Sequence, residues 1–410
     1  MEIFKNKLGI KVVLSDVVEN SYPEMLSEEI VENVRKFHSS IKGYKATPLI
    51  CLDNLAKGLG VSKVYVKDES HRFGLNAFKG LGGTYAIAKL LSKELGVNIN
   101  DVNFDYFKSP EVKEKTKGMV FVTATDGNHG KGLAWAATQL GCRSVIYMPK
   151  GAAKRRVDAI REVGGEVYVT DLNYDDAVRL ASQTANKNGW HLIQDTAWEG
   201  YEEIPNWITQ GYSTMANEAL EQLRLDGIQK PTHIFLQAGV GSMAGAVLGY
   251  YANKFKGDHP TTVIVEPEKA DCIYKSALAG DGNPHFVRGD LNTIMAGLAC
   301  GEPNPVTWEI LRDFASLYAS CCDYISARGI RILANPIGSD KRVISGESGS
   351  VGIGLLSLLM EKPQLQQLRD SIGLNEESVV LLFNTEGDTD PENYKEIVYD
   401  GKYPSTFIEE

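Results

Sequence analysis

Short apolar runs rich in β-branched residues, each followed by a turn and a helix-like stretch, constrain this 410-residue chain more than any other feature. Seven runs read as strands: 64–66, 120–123, 144–148, 166–170, 233–237, 262–266 and 378–383. Eight segments read as helices: 78–95, 131–140, 153–163, 174–188, 209–225, 242–254, 304–320 and 348–360. The strand runs are apolar throughout instead of alternating, which predicts sheets covered on both faces. Strand and helix in turn predict a mostly parallel α/β architecture. Folds of that kind carry their sites at the carboxyl ends of strands. One strand–helix series fills the middle of the chain and another its two ends. The expectation is a large domain from 1–85 and 213–410, interrupted by a small α/β domain, 86–212. The polar stretch 93–118 reads as an irregular surface excursion.

Charge and composition narrow the function classes. Asp and Glu number 53 against 43 Lys and Arg, a net charge of −10. Nucleic-acid binding needs clustered cations, and the densest basic run, Lys154-Arg155-Arg156, reads as a solvated helix face. No apolar stretch is long enough to span a bilayer, and residues 1–14 lack a cleavage pattern. Six cysteines fit a reducing compartment. Adjacent Cys321 and Cys322 are poor co-ligands for one tetrahedral ion, so no metal site is expected. Whether Cys272 and Cys300 pair is left open by their spacing. A cytoplasmic protein acting on a small molecule is expected, without nucleic-acid or membrane partners.

Three segments carry chemistry. Asn76-Ala77-Phe78-Lys79-Gly80 places a lysine at the start of a helix. Thr125-Asp126-Gly127-Asn128-His129-Gly130 follows a strand and offers hydroxyl, acid and amide groups at a helix start. Gly239-Val240-Gly241-Ser242-Met243-Ala244-Gly245 follows another strand, and its glycines let backbone N–H groups converge on an anion at a helix N-terminus. It lacks the GxxxxGK[ST] lysine of a P-loop. Singly, each has a plainer reading: a surface lysine, an N-cap and a tight turn. Together, in this order, they point to an enzyme that uses pyridoxal phosphate (PLP). Two further loops end strands: Gln194 to Tyr201, where Asp195 is placed for proton transfer, and Phe383 to Asp390, where Thr385 offers a hydroxyl to a ring nitrogen. Each reads equally as a packed or capped loop.

The whole set resembles the fold type II PLP enzymes, the tryptophan synthase β and threonine dehydratase-like family. Ala77-Phe78-Lys79-Gly80 is similar to its Ser-Phe-Lys segment, Thr125 to His129 to its Ser-x-Gly-Asn-His loop, and Gly239 to Gly245 to its phosphate loop. Thr47-Pro48-Leu49 and Gly346-Glu347-Ser348-Gly349 also match, so the likeness runs over nearly the whole chain. It implies two domains, each with a largely parallel twisted sheet flanked by helices. It implies that Lys79 carries PLP covalently, beside Phe78. Gly239, Val240, Gly241, Ser242 and Met243 would bind the phosphate, Asn128 the ring hydroxyl and Thr385 the ring nitrogen. Thr125, Gly127 and His129 would hold the substrate carboxylate. Homodimers are expected by analogy.

Three features resemble the family's ammonia-lyases acting on 2,3-diaminopropionate more than its hydroxy-amino-acid dehydratases: the stretch Arg72 to Gly83, Asp126, and Asp195 within Asp195-Thr196-Ala197-Trp198-Glu199-Gly200-Tyr201. The resemblance implies α,β-elimination of both enantiomers to pyruvate and two ammonia, with Lys79, Asp126 and Asp195 catalytic. A diamino acid brings an extra cation for the two aspartates to bind. A serine or threonine dehydratase is the alternative, and a non-enzymatic binder sharing the fold is the third reading.

Overall fold

The computed structural model of the chain describes residues 2–5 and 7–405, with side chains from residue 7 onward. The ends of the expected domain ranges, residue 1 and residues 406–410, lie outside the described residues. The strands are β1 (Glu2–Lys5), β2 (Ile10–Leu14), β3 (Leu49–Cys51), β4 (Lys63–Asp68), β5 (Val120–Ala124), β6 (Arg143–Met148), β7 (Glu166–Val169), β8 (His191–Leu192), β9 (His233–Gln237), β10 (Thr261–Pro267), β11 (Leu317–Cys321) and β12 (Val379–Asn384).

They form two sheets. The larger runs β1-β2-β11-β10-β9-β12-β4-β3. Its five central strands, β11-β10-β9-β12-β4, are parallel, and antiparallel strands close both edges. The smaller, β7-β6-β5-β8, is parallel throughout. The central strands β9, β10 and β12 are buried along nearly their whole length, as continuous apolar strands covered by helices on both faces must be. All seven expected strands are present. Strands β1, β2, β3, β8 and β11 were not among the seven expected.

Helices Gly80–Leu95 and Glu203–Leu225 pack on one another and lead the chain between the sheets. Their approach depends on missing side chains. A Cβ at Gly211 would meet the carbonyl oxygen of Leu81 at 2.7 Å, and one at Gly82 would meet the Tyr212 ring at 2.5 Å. The expected domain boundaries fall inside these two helices.

Two expectations fail. Segment 304–320 is not one helix: Pro305–Phe314 is helical, Ala315 turns to extended backbone, and β11 follows. Pairing with β10 on one side and β2 on the other outweighs a local sequence that suits a helix. Nor is 93–118 a surface excursion throughout. Phe104 and Phe107 are buried against Phe37 with ring centroids 6.2 Å away, and Pro110–Lys115 is a capped helix.

Candidate active site

Strands β5, β6, β7, β8, β9 and β12 all lead into one cavity of about 660 Å³. Hydrogen bonds between the loops fix how they converge. Phe78 N donates to Thr385 O at 3.1 Å, and Gly387 N donates to Asn76 O at 3.1 Å, so the loop before Lys79 is tied to the loop after β12. Gln194 Oε1 accepts from Thr123 Oγ1 at 2.8 Å and from Ala124 N at 3.1 Å, which ties the loop after β8 to β5. Ser242 Oγ donates to Asp195 O at 2.8 Å and so joins the glycine loop to the smaller sheet.

Phe78, Lys79, Thr125, Asp126, Asn128 and His129 line this cavity, as do Asp195, Gly239 to Met243, and Thr385. Gly127 does not; it lies behind the wall, under the side chain of Arg156. The Thr125 hydroxyl accepts from Gly127 N at 2.9 Å and Gly130 N at 3.2 Å, so it holds the turn that presents its neighbours.

Lys79 Nζ lies 2.5 Å from Asp195 Oδ2 and over the rings of Phe78 and Tyr212, at 5.3 and 5.6 Å from their centroids. Burial works against its charge, but the Asp195 carboxylate outweighs burial and raises the pKa. Burial would likewise lift the Asp195 carboxyl, yet His129 and Lys79 bring it down to about 2. His129 itself is pushed below its ordinary value by burial. Its Nε2 lies 2.8 Å from Ile193 O, so the neutral ring carries its proton there and donates it. The Lys79 contact is therefore the one that sustains the Asp195 charge.

Asp126 behaves differently. Burial raises its pKa, and Arg156 and Lys79 offset this only in part. The two acids thus share one cavity with opposite shifts, Asp195 pushed down and Asp126 pushed up.

Four residues at this site were not singled out from sequence. Glu386 accepts from Asn128 Nδ2 at 2.5 Å and from Ser348 N at 3.1 Å. Glu347 is raised to about 7 by burial and by Glu386. Both stood within quoted motifs, but nothing local told them from capping acids. Tyr174 receives a hydrogen bond from Gln194 Nε2 at 3.1 Å. Arg156 belongs to the basic run read as a solvated face; its side chain is 16% exposed and faces Asp126 at 3.7 Å. Arg155, by contrast, is exposed. All six cysteines are free thiols, Cys272 and Cys300 included.

The residues present fit PLP. Gly241 has φ +99°, a left-handed conformation glycine adopts freely. It caps helix Ser242–Lys254, whose first amides have no intrahelical acceptor and favour an anion. A Cβ on Gly239 would crowd Gly297 O and Leu298 Cα at 3.3 Å. Gln237 Nε2 donates to Thr385 Oγ1 at 2.9 Å, which leaves the threonine proton to donate to a ring nitrogen. Ser348 Oγ is buried at the cavity wall with no hydrogen-bond partner.

Lysine, anion-binding loop and hydroxyl together define a PLP enzyme, and the family model described as "Pyridoxal-phosphate dependent enzyme" matches residues 41–383. The chain is 53% identical to diaminopropionate ammonia-lyase of Escherichia coli strain K12, over 95% of this chain and 97% of that one. It is 52% identical to the Salmonella typhimurium enzyme of the same name, over 92% and 94%. A crystal structure of the holo Escherichia coli enzyme superposes with a TM-score of 0.92 at 50% identity, over 99% of this chain and 100% of that one. The chain belongs to the diaminopropionate ammonia-lyase family of PLP-dependent enzymes.

Proposed function

We propose that the chain eliminates ammonia from D- and L-2,3-diaminopropionate, giving aminoacrylate, which water hydrolyses to pyruvate and a second ammonia. The observation that carries this reading is the pair of acids, half-buried Asp126 and buried Asp195, sharing one cavity with Lys79. A serine or threonine dehydratase expels a hydroxyl and has no second cation for two acids to meet. The relatives named above bear the diaminopropionate name, which supports the same choice.

Lys79 would carry the cofactor covalently through Nζ. Gly239 to Met243 would take the phosphate, Asn128 the ring hydroxyl, and Thr385 the ring nitrogen, with Phe78 beside the lysine. When bound, PLP supplies an electron sink for the pair left behind when Cα loses its proton. This chain's residues supply the rest. Asp195, ionised and 2.5 Å from Lys79 Nζ, is placed to accept a proton and pass it to or from that amine. Asp126 holds a proton more readily and can deliver it to the β-amine, which leaves far better as ammonium. Each acid serves as base for the enantiomer whose Cα–H points toward it, and the other then faces the β-ammonium. The turn at Thr125, Gly127 and His129 would hold the substrate carboxylate.

We also propose the division into residues 1–85 with 213–410, and 86–212, whose boundaries fall within the packed helices Gly80–Leu95 and Glu203–Leu225. We further propose a cytoplasmic homodimer. Among the described residues no helix is long and apolar enough to cross a membrane.

The test is pyruvate release from D- and L-diaminopropionate, L-serine and L-threonine with PLP present. The expected result is strong preference for both diaminopropionate isomers, lost in Lys79→Ala by about 10³-fold or more. Preference for serine or threonine would overturn the substrate assignment.

A further inference from the structure

Arg156 is a charged group at the cavity that the chemistry above does not use. It comes from helix Lys154–Glu162. Its stem is lodged on the turn after β5: a Cβ at Gly127 would meet Arg156 Cδ at 3.2 Å and Cβ at 3.4 Å. Its Nη1 lies 3.7 Å from Asp126 Oδ2, and its side chain is 16% exposed. No hydrogen bond ties the guanidinium elsewhere among the described residues. Arg156 and Asp126 therefore line the cavity side by side.

We propose that Arg156 is a positioning residue for Asp126: it aims that carboxyl at the substrate and favours its charged form, so that Asp126 can give up a proton to one isomer and take one from the other. The assignment rests on the diaminopropionate reading. Direct capture of the substrate carboxylate by Arg156 is disfavoured by its other neighbours. Glu347, Glu386 and Asp390 add negative charge around the guanidinium, so an incoming carboxylate meets repulsion there. The groups facing Asp126 explain why it needs a cation. Arg156 and Lys79 favour its charged form; burial, Glu386 and Asp195 favour the acid. His129 and Tyr174 face it as well, and neither brings a positive charge while the imidazole is neutral. Removing one of two cations leaves burial and the neighbouring acids less opposed, so Asp126 holds its proton to higher pH.

The experiment is the pH profile of kcat/KM for each diaminopropionate enantiomer, on holoenzyme of wild type, Arg156→Gln, Arg156→Met and Arg156→Lys. For the isomer served by Asp126, both neutral variants should move the acidic limb upward by about 1 pH unit or more, since an opposite charge at this range shifts a carboxyl by that amount. The isomer served by Asp195 should keep its wild-type limb, and Arg156→Lys should restore most of the shift. Either neutral variant suffices if the other does not fold. Unmoved limbs in a folded neutral variant overturn the proposal. So does a rise in KM for both isomers with the limbs in place, which would make Arg156 a carboxylate receptor. Wild-type enzyme inactive on both isomers would overturn the substrate reading instead, and the positioning role with it.

Discussion

At Asp195 a contact of 2.5 Å to Lys79 decides what the carboxyl can do, and at Asp126 its absence decides the opposite. A third acid, Glu218, shows the same physics put to structural use. It accepts from Lys67 Nζ at 2.7 Å and from two Arg72 nitrogens at 2.8 and 2.9 Å, all buried, and from half-buried Tyr44 at 2.5 Å. Arg72 also binds Glu69, so this network pins the start of the loop that delivers Lys79. Burial alone would raise the Glu218 carboxyl, but Arg72 and Lys67 hold it at about 2, below its ordinary 4.5. Its contribution is therefore complete above about pH 4.5 and is lost as pH falls toward 2. Glu218→Gln should cost about 3 kcal/mol in urea unfolding of the cofactor-free protein at pH 7, with a gap to wild type that narrows below pH 4.5. A gap that stays constant as the pH falls would contradict this. At this scale the family resemblance singled out Lys79, Asp126 and Asp195, and the structure brings all three to one cavity. Arg156 and Glu347 were not singled out, because their roles come from residues distant in the chain that fold beside them.

Elements were legible where one pattern governed them. Strand β9 and the helices Tyr174–Asn188 and Ser242–Lys254 have the bounds their apolar runs imply. Strand β11 was not, since Leu317-Tyr318-Ala319-Ser320 has no β-branched run and becomes a strand only by pairing. Helix Asn128–Gln139 begins inside the substrate turn, three residues earlier than its periodicity suggests. That helix also fixes Lys79. A Cβ at Gly132 would meet Lys79 C and Gly80 N at 2.8 Å, both backbone atoms with little room to give. Gly132→Ala should thus force the two helix starts apart, at about 1–3 kcal/mol, and reduce turnover together with the urea midpoint. Full activity with an unchanged midpoint would show that this contact does not hold the lysine.

For the whole molecule, the sheet order places every chemistry-bearing loop at one end of the parallel strands, as parallel α/β folds require. The antiparallel edge is part of that frame. Ile10, Val12 and Val13 of β2 are fully buried, and β2 covers β11. Deleting residues 1–14 should cost more than about 4 kcal/mol of apolar burial and expose β11 as an edge open to pairing with other chains. Aggregation on light scattering is the expected outcome; a monodisperse product of wild-type stability would refute it. The sequence conveyed the parallel core but not this edge, because β2 is a short strand with no helix directly after it and so stands outside the strand–helix alternation that marked the others.

The central claim is that two differently tuned acids flank one lysine and act on a diamino acid. Its most direct test is pyruvate release from D- and L-diaminopropionate by Asp126→Asn and Asp195→Asn. A crossed pattern is predicted: each variant loses about 10²–10⁴-fold on one isomer and less on the other, with the isomers exchanged between variants. Equal losses on both isomers in both variants would contradict separate bases for the two enantiomers.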